Sequence, residues 1–539
     1  MAEGGRYDAV LVGSGINALA CAALLARAGW RVCVLERNDW LGGAIRTAEL
    51  TEPGFLHDVY SAWHPLWVGG AAHAELGAEL AARGLEYLNT DLPSGTAFPD
   101  GTAGFLLRTP EGNAEELGPE WPEVLERFRP NADLAFGVLG AELWSPAGLA
   151  LAAKAMRRLG RTGALAFLGE VLQSSRDWLE TTFASERAHG VLAPWVLHTG
   201  LGPDQAASGF MTQVIAVALQ EGGMPVPRGG GARLVDALVR LIRDHGGVCE
   251  TDRDVERVLV RSGRAVGVRL SDGEVVEAER AVVAGVTPTQ LYERLLADAD
   301  VPAPVAEAAR RFRYGRAEMQ IHYALSEPAR WEGDERLGRT AVVHLTSGLD
   351  GVSRAVNEAE RGLLPAEATV VVGQPLAVDP SRAPDGRGLL WIQLQELPWR
   401  IKGDAAGELD TGSGTWTDEL RERYADRIQA RLARHVPNLE SSILTRVVLG
   451  PHDLQRANVN LRHGDPYGGA LSLDQNFLWR PFGRSPGHTT PVERLWQIGA
   501  STWPGPGLGA GSGAIVARKL LEPPLAQRAA ARARSLLGR

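Results

Sequence analysis

The stretch from Arg6 to Arg46 constrains this chain more than any other. Ala9 to Val12 is a short apolar run, suited to a parallel strand buried on both faces. Gly13-Ser14-Gly15 then makes a tight turn. Asn17 to Ala28 is apolar almost all round, as in a helix packed on a sheet, and Gly29 stops it. Arg31 to Leu35 is a second buried strand, ended by Glu36. Strand, turn, helix and strand in this order make a βαβ unit and place the chain among α/β folds.

The turn has the spacing G-x-G-x-x-A, with Gly13, Gly15 and Ala18. Gly13 permits the turn, Gly15 lets a pyrophosphate approach the backbone, and small Ala18 lets helix and strand pack closely. The helix start, from Ser14 to Asn17, offers unpaired N–H groups and a positive dipole end to phosphate. Glu36, followed by Arg37, stands where an acid accepts from ribose hydroxyls, which also disfavours a 2′-phosphate. Beyond it come Gly42-Gly43 and Arg46, a second place where backbone comes close to a ligand.

An acid, a short spacer, a glycine pair and a nearby Arg resemble the extended fingerprint of the FAD-binding amine oxidase and phytoene desaturase superfamily. Near the other end, Gly499-Ala500-Ser501-Thr502-Trp503-Pro504-Gly505 is similar to the C-terminal G-A-S/T-x-P-G loop of phytoene desaturases and carotenoid isomerases. The usual His is Trp503 here, and Pro506 stands where the family has Gly. The resemblance implies bound FAD. It implies that Val255 lies on the strand passing the adenine, and that Gly285 ends a strand at the ligand edge. It also implies that Gly499, Ala500, Gly507, Leu508 and Ala510 approach the flavin at a helix start. The expected fold is a Rossmann-like FAD-binding domain, in segments 1–75, 222–300 and 486–539, with a discontinuous α+β substrate domain in 76–221 and 301–485.

The same resemblance leads residues 47–75 from the glycine pair towards the active site. Asp58 and His64 are therefore expected to line the cavity, with either as a candidate base; the competing reading is a capped turn fixed by Pro65. Trp503, Gln475, Phe477 and Arg480 are further candidates for the cavity, against simple hairpin packing of Tyr467 to Arg480. Arg316 to Leu325 and Gly388 to Gln395 alternate like strands and suit a sheet that roofs the flavin. Ser262-Gly263 and Asp272-Gly273 read as hairpin turns, as does Asp100-Gly101.

The net charge of −9 argues against a nucleic-acid partner. The three cysteines have no C-x-x-C spacing, which fits buried thiols and a reducing cytoplasm. There is no G-x-S-x-G, H-E-x-x-H or Walker loop, no apolar leader and no run of eighteen apolar residues. Gly148 to Leu168 is apolar but punctuated by Lys154, Arg157, Arg158 and Arg161, a pattern open to peripheral membrane contact or to half-burial in a substrate domain. A terminal helix is expected over Glu522 to Arg539. The first functional expectation is a flavin-dependent dehydrogenase acting on carbon–carbon bonds of an apolar substrate, with dioxygen or a quinone as acceptor. An amine oxidase, a redox-neutral isomerase and a partner-binding protein that retains FAD remain open.

Overall fold

The computed structural model describes residues 5–523; most of the expected terminal helix lies outside them. The βαβ unit forms as its pattern requires. Arg6–Val12 pairs in parallel with Val32–Leu35, Ala9 opposite Val32 and Val12 opposite Leu35. The helix Ile16–Arg27 between them buries ten residues, mostly Ala and Leu. The parallel array continues outward to Val248–Glu250 on one side, and to Val275–Ala284 and Leu495–Gln497 on the other. The first half of the long strand Val275–Ala284 also pairs with a hairpin made of Val255–Arg261 and Arg264–Leu270. One seven-stranded sheet thus draws strands from the start, middle and end of the chain.

The amphipathic helix Ala232–Asp244 and the final helix Gly511–Leu521 pack on Ile16–Arg27. The last contact is close. A Cβ on Gly513 would lie 1.9 Å from the Asn17 carbonyl oxygen, and the Gly513 N–H donates to Asn17 Oδ1 at 3.1 Å.

A second seven-stranded sheet runs in the order Ile443–Leu449, Ala317–Leu325, Gly388–Leu397, Val370–Gly373, Val342–Leu345, Ser94–Ala97 and Ala103–Leu106. Ser94–Ala97 and Ala103–Leu106 form the hairpin read around Asp100-Gly101. All nine residues of Ala317–Leu325 are buried. The helix Asp418–Ala433 covers one face of this sheet, packing Leu420, Tyr424, Ile428 and Leu432 into the same core as Met319 and Ile321. The opposite face carries Glu318, Gln320, Gln393 and Gln395, which line a cavity.

Tyr467 to Arg480 holds no strand. It contains two short 3₁₀ turns, Leu473–Gln475 and Phe477–Trp479, so hairpin packing does not describe it. The basic apolar segment is helical over Pro146–Leu172, capped where Ser145 Oγ accepts from the Gly148 N–H, and broken at Gly160, whose φ is 66°. None of its residues is buried. Among the described residues no helix is long and apolar enough to cross a membrane.

Candidate cofactor groove and adjoining cavities

The carboxyl ends of the parallel strands open onto a groove of about 190 Å³. Ligands sit at this edge in open α/β sheets. Gly13, Ser14, Gly15, Asn17 and Ala18 line it from the first turn, and Glu36 and Arg37 from the second strand end. Gly42 and Gly43, Val255, Gly285, Gly499, Ala500, Gly507 and Leu508 complete the expected set on its walls. Two expected residues stand off the groove. Arg46 stacks on the Trp40 ring with its guanidinium carbon 4.1 Å from the centroid. Ala510 is buried in left-handed backbone as the N-cap of the last helix.

The glycines have different jobs. Gly43, at φ 61°, packs so near the first turn that a Cβ would meet Gly15 Cα at 3.0 Å. Gly42, at φ 116°, would press on the Ile45 carbonyl oxygen at 2.4 Å. Gly15 differs: its φ of −60° suits any residue, and a Cβ there meets nothing within 4 Å. The space beside it is therefore reserved for something other than protein, as a pyrophosphate at a helix N-terminus requires. Gly499 likewise meets nothing within 4 Å.

Glu36 is 5% exposed at the groove wall. Its Oε2 accepts from the Ser14 N–H at 2.9 Å and from Ser14 Oγ at 2.7 Å, and its Oε1 accepts from the Asn38 N–H at 3.0 Å. Ser14 Oγ accepts in turn from the Gly42 N–H at 3.0 Å, so one acid ties the first turn to the glycine pair. Sequence reading missed Arg294, Asn458 and Asn460 on the far wall. Asn460 bridges by accepting from the Thr287 N–H and donating to the Gly285 carbonyl. Isolated Asn residues after a helix give no periodic signal.

Asp58 and His64 do not line the groove or either cavity next to it, contrary to expectation. Asp58 accepts from Arg382 at 2.8 Å, from Thr47 Oγ1 at 2.7 Å and from the Gly231 N–H at 2.9 Å. His64 is fully buried, with Nδ1 3.0 Å from the Tyr87 hydroxyl; burial lowers its pKa to about 4. Together they anchor the Ser61–Leu66 segment, whose Ser61, Ala62, Trp63, Pro65 and Leu66 do line a cavity.

That cavity, of about 220 Å³, abuts the groove through Ala44, Leu461, Pro466 and Pro506 to Leu508. Its walls are aromatic: Tyr60, Trp63, Trp195 and Trp391. The roof sheet adds Glu318, Gln320, Gln393 and Gln395, which sequence reading did not single out. Burial pushes the Glu318 carboxyl up to about 8 and lowers His198 to about 3, so both are neutral at pH 7. Beyond Leu66, Ile215, Ala218 and Gly507 lies a second, largely apolar chamber of about 460 Å³.

Phe477 and Trp503 line the chamber with ring centroids 5.2 Å apart. Gln475 and Arg480 do not. Gln475 holds the Arg313 backbone, and Arg480, fully buried, donates to the carbonyls of Tyr467 and Ala500. Arg480 thereby braces the loop at Ala500 from behind. Among the described residues no cluster could hold a metal ion.

A parallel sheet with this groove at its carboxyl edge, beside a roofed aromatic cavity, defines an FAD-dependent oxidoreductase. The chain belongs to the flavin containing amine oxidoreductase family, whose model matches residues 19–464. It is 26% identical over 543 residues to mouse pyridine nucleotide-disulfide oxidoreductase domain-containing protein 2, covering 93% of this chain and 91% of that one. It is 27% identical over 514 residues to the zeta-carotene-forming phytoene desaturase of Myxococcus xanthus, covering 93% and 90%. The fold is shared with cyclohexylamine oxidase from Brevibacterium oxydans, at a TM-score of 0.57 and 18% identity, over 96% of this chain and all of that one. The glycine turns, Glu36 and the loop from Gly499 to Leu508 would hold the FAD.

Proposed function

We propose that this chain dehydrogenates a carbon–carbon bond of an apolar, isoprenoid-type substrate, with dioxygen or a quinone as external acceptor. The carrying observation is the run of connected space. The aromatic cavity meets the groove at Pro506 to Leu508 and continues into the apolar chamber, whose lining suits a hydrocarbon. The similarity to a phytoene desaturase supports the same class. FAD in the groove would supply the hydride acceptor for one carbon, and the proton of the neighbouring carbon would leave to water. The protein's part is to orient a substrate carbon against it and to keep water out, through Tyr60, Trp63, Trp195 and Trp391. Asp58 and His64 act here by positioning Ser61 to Leu66.

An apolar substrate needs an apolar route. Phe136 lines the chamber and is half exposed, beside the unburied helix Pro146–Leu172. That helix presents Leu149, Met156, Leu165 and Leu168 to solvent, with Arg157 and Arg161 making no ion pair among the described residues. An anionic bilayer surface suits this mixture. Binding there would put the chamber mouth against lipid.

The amine oxidase reading is favoured by one feature, the aromatic lining, which also suits a cation. One experiment separates the two. The purified, FAD-loaded chain is mixed anaerobically with polyenes or with amines, and the flavin band near about 450 nm is followed. Bleaching by polyenes alone supports dehydrogenation. Bleaching by amines alone, or by neither, overturns it.

A further inference from the structure

Two neighbouring strands of the roof sheet carry an unusual pattern. Along Ala317–Leu325, Glu318, Gln320 and His322 alternate with Met319 and Ile321; along Gly388–Leu397, Trp391, Gln393 and Gln395 alternate with Ile392 and Leu394. The apolar set packs into the core under the covering helix. The polar set turns the other way, with Gln320 opposite Gln393 and His322 opposite Trp391. Polar side chains buried on a sheet face are costly unless something there pairs with them.

Protein supplies only part of that pairing. Gln393 Nε2 donates to Glu318 Oε1 at 2.9 Å, Gln395 Nε2 to the Tyr467 hydroxyl at 2.9 Å, and Gln320 Nε2 to the Tyr60 carbonyl at 2.8 Å. The indole N–H groups of Trp63 and Trp391 have no partner among the described residues. No Lys or Arg lines this cavity. Burial keeps Glu318 protonated at neutral pH, so it offers an O–H rather than a charge. The amide oxygens of Gln320 and Gln395 are likewise without a partner among the described residues. The cavity therefore presents neutral donors and neutral acceptors set among aromatic rings. An ammonium ion brings donors only and leaves the N–H groups unmet. A neutral oxygen, with two lone pairs, meets those, and a hydroxyl meets the amide oxygens as well.

We propose that the substrate is an apolar molecule bearing one neutral oxygen function, a hydroxyl or a carbonyl, and that Glu318, held by Gln393, is the specificity-determining residue that hydrogen-bonds it. This rests on the dehydrogenase reading and narrows its substrate class. The hydrocarbon part lies against the aromatic walls and reaches into the chamber. The oxygen sits under the roof.

The test uses the FAD-loaded full chain and four probes of one skeleton: farnesene, farnesol, farnesal and farnesylamine. Dissociation constants are read anaerobically from perturbation of the flavin spectrum. Farnesol and farnesal are expected to bind roughly tenfold tighter than farnesene at pH 7. The advantage of farnesal disappears as pH rises through about 8, where Glu318 ionises. Glu318→Gln keeps a donor, so it retains the preference and loses that pH dependence. Glu318→Leu brings farnesal down to the affinity of farnesene, with FAD content unchanged as the control for folding. Equal binding of farnesene and farnesal by the wild type, tightest binding of farnesylamine, or no perturbation by any probe overturns the proposal. The two readings fail separately. Farnesene that reduces the flavin as fast as farnesol leaves dehydrogenation standing and removes the role of Glu318. Glu318-dependent binding without flavin reduction does the reverse.

Discussion

The Arg382 guanidinium donates to the Asp58 carboxylate at 2.8 Å, and both side chains are buried almost completely. The pair joins the segment after the glycine pair to a loop of the roof sheet, 324 positions away. Removing one partner of such a pair leaves a charge stranded in the interior, at a cost of about 3–5 kcal/mol. Arg382→Leu is expected to lower the melting temperature by several degrees, and Asp58→Leu similarly. The double variant should recover part of the loss, since no charge is left unpaired. Differential scanning calorimetry of the three variants checks this; a double variant as unstable as the sum of the singles counts against it.

Gly15→Val should separate fold from cofactor. The backbone there is ordinary, and an added Cβ meets nothing within 4 Å, so the FAD-free protein should melt within a degree or two of wild type. The same side chain occupies space needed by the pyrophosphate. Bound flavin per chain, measured by absorbance after desalting, should fall at least tenfold, the ratio set by about 1.4 kcal/mol.

Stability should peak near neutral pH, with a cause on each side. Burial lowers His57, His64, His198 and His322, to about 2, 4, 3 and 4, so the folded state holds fewer protons on them than the unfolded chain. Their contribution is present above about pH 6.5 and is lost as pH falls below it. Burial raises Glu318 to about 8 and Glu396 to about 7. Here the folded state holds more protons, so stability is full below about pH 4.3 and declines as pH rises towards 8. Glu318→Gln should flatten the alkaline limb and gain at least about 1 kcal/mol at pH 8.5. Urea titrations at four pH values would show it; an unchanged alkaline slope would count against a protonated Glu318.

The exposed helix makes a separate prediction. Leu149, Leu165 and Leu168 are 73%, 69% and 52% exposed. Replacing all three by Ser should leave melting unchanged, as none is packed. Flotation with vesicles containing phosphatidylserine should drop severalfold, because binding scales with buried apolar area. Absence of wild-type flotation would remove the membrane from the account.

The cofactor half of the site was legible because its signals are local. A strand, a G-x-G turn and an apolar helix constrain backbone within thirty residues, which locates Gly13 to Ala18 and Glu36, whereas Val255, Gly285 and the loop from Gly499 to Leu508 come from the family resemblance. The substrate half was read less well for a physical reason. Asp58 and His64 looked like cavity groups because nothing near them in sequence shows Arg382 or Tyr87, which bury and pair them. Glu318, Gln393 and Gln395 sat in strands whose alternation was visible. Alternation places them on one face of a roofing sheet, and only the packed sheet shows which of them reach the cavity. Arg480 and Gln475 stand beside Phe477 in the sequence, but their hydrogen bonds are made to neighbouring backbone.

The contact between Asn17 and Gly513 joins positions 496 residues apart. Each belongs to a helix packed beside the groove, one synthesised nearly five hundred residues before the other. A chain still on the ribosome therefore carries an incomplete receptacle, with the loop from Gly499 to Leu508 not yet in place. Tight capture of the flavin must await synthesis of that later segment, which makes coenzyme supply a factor in maturation rather than in early folding.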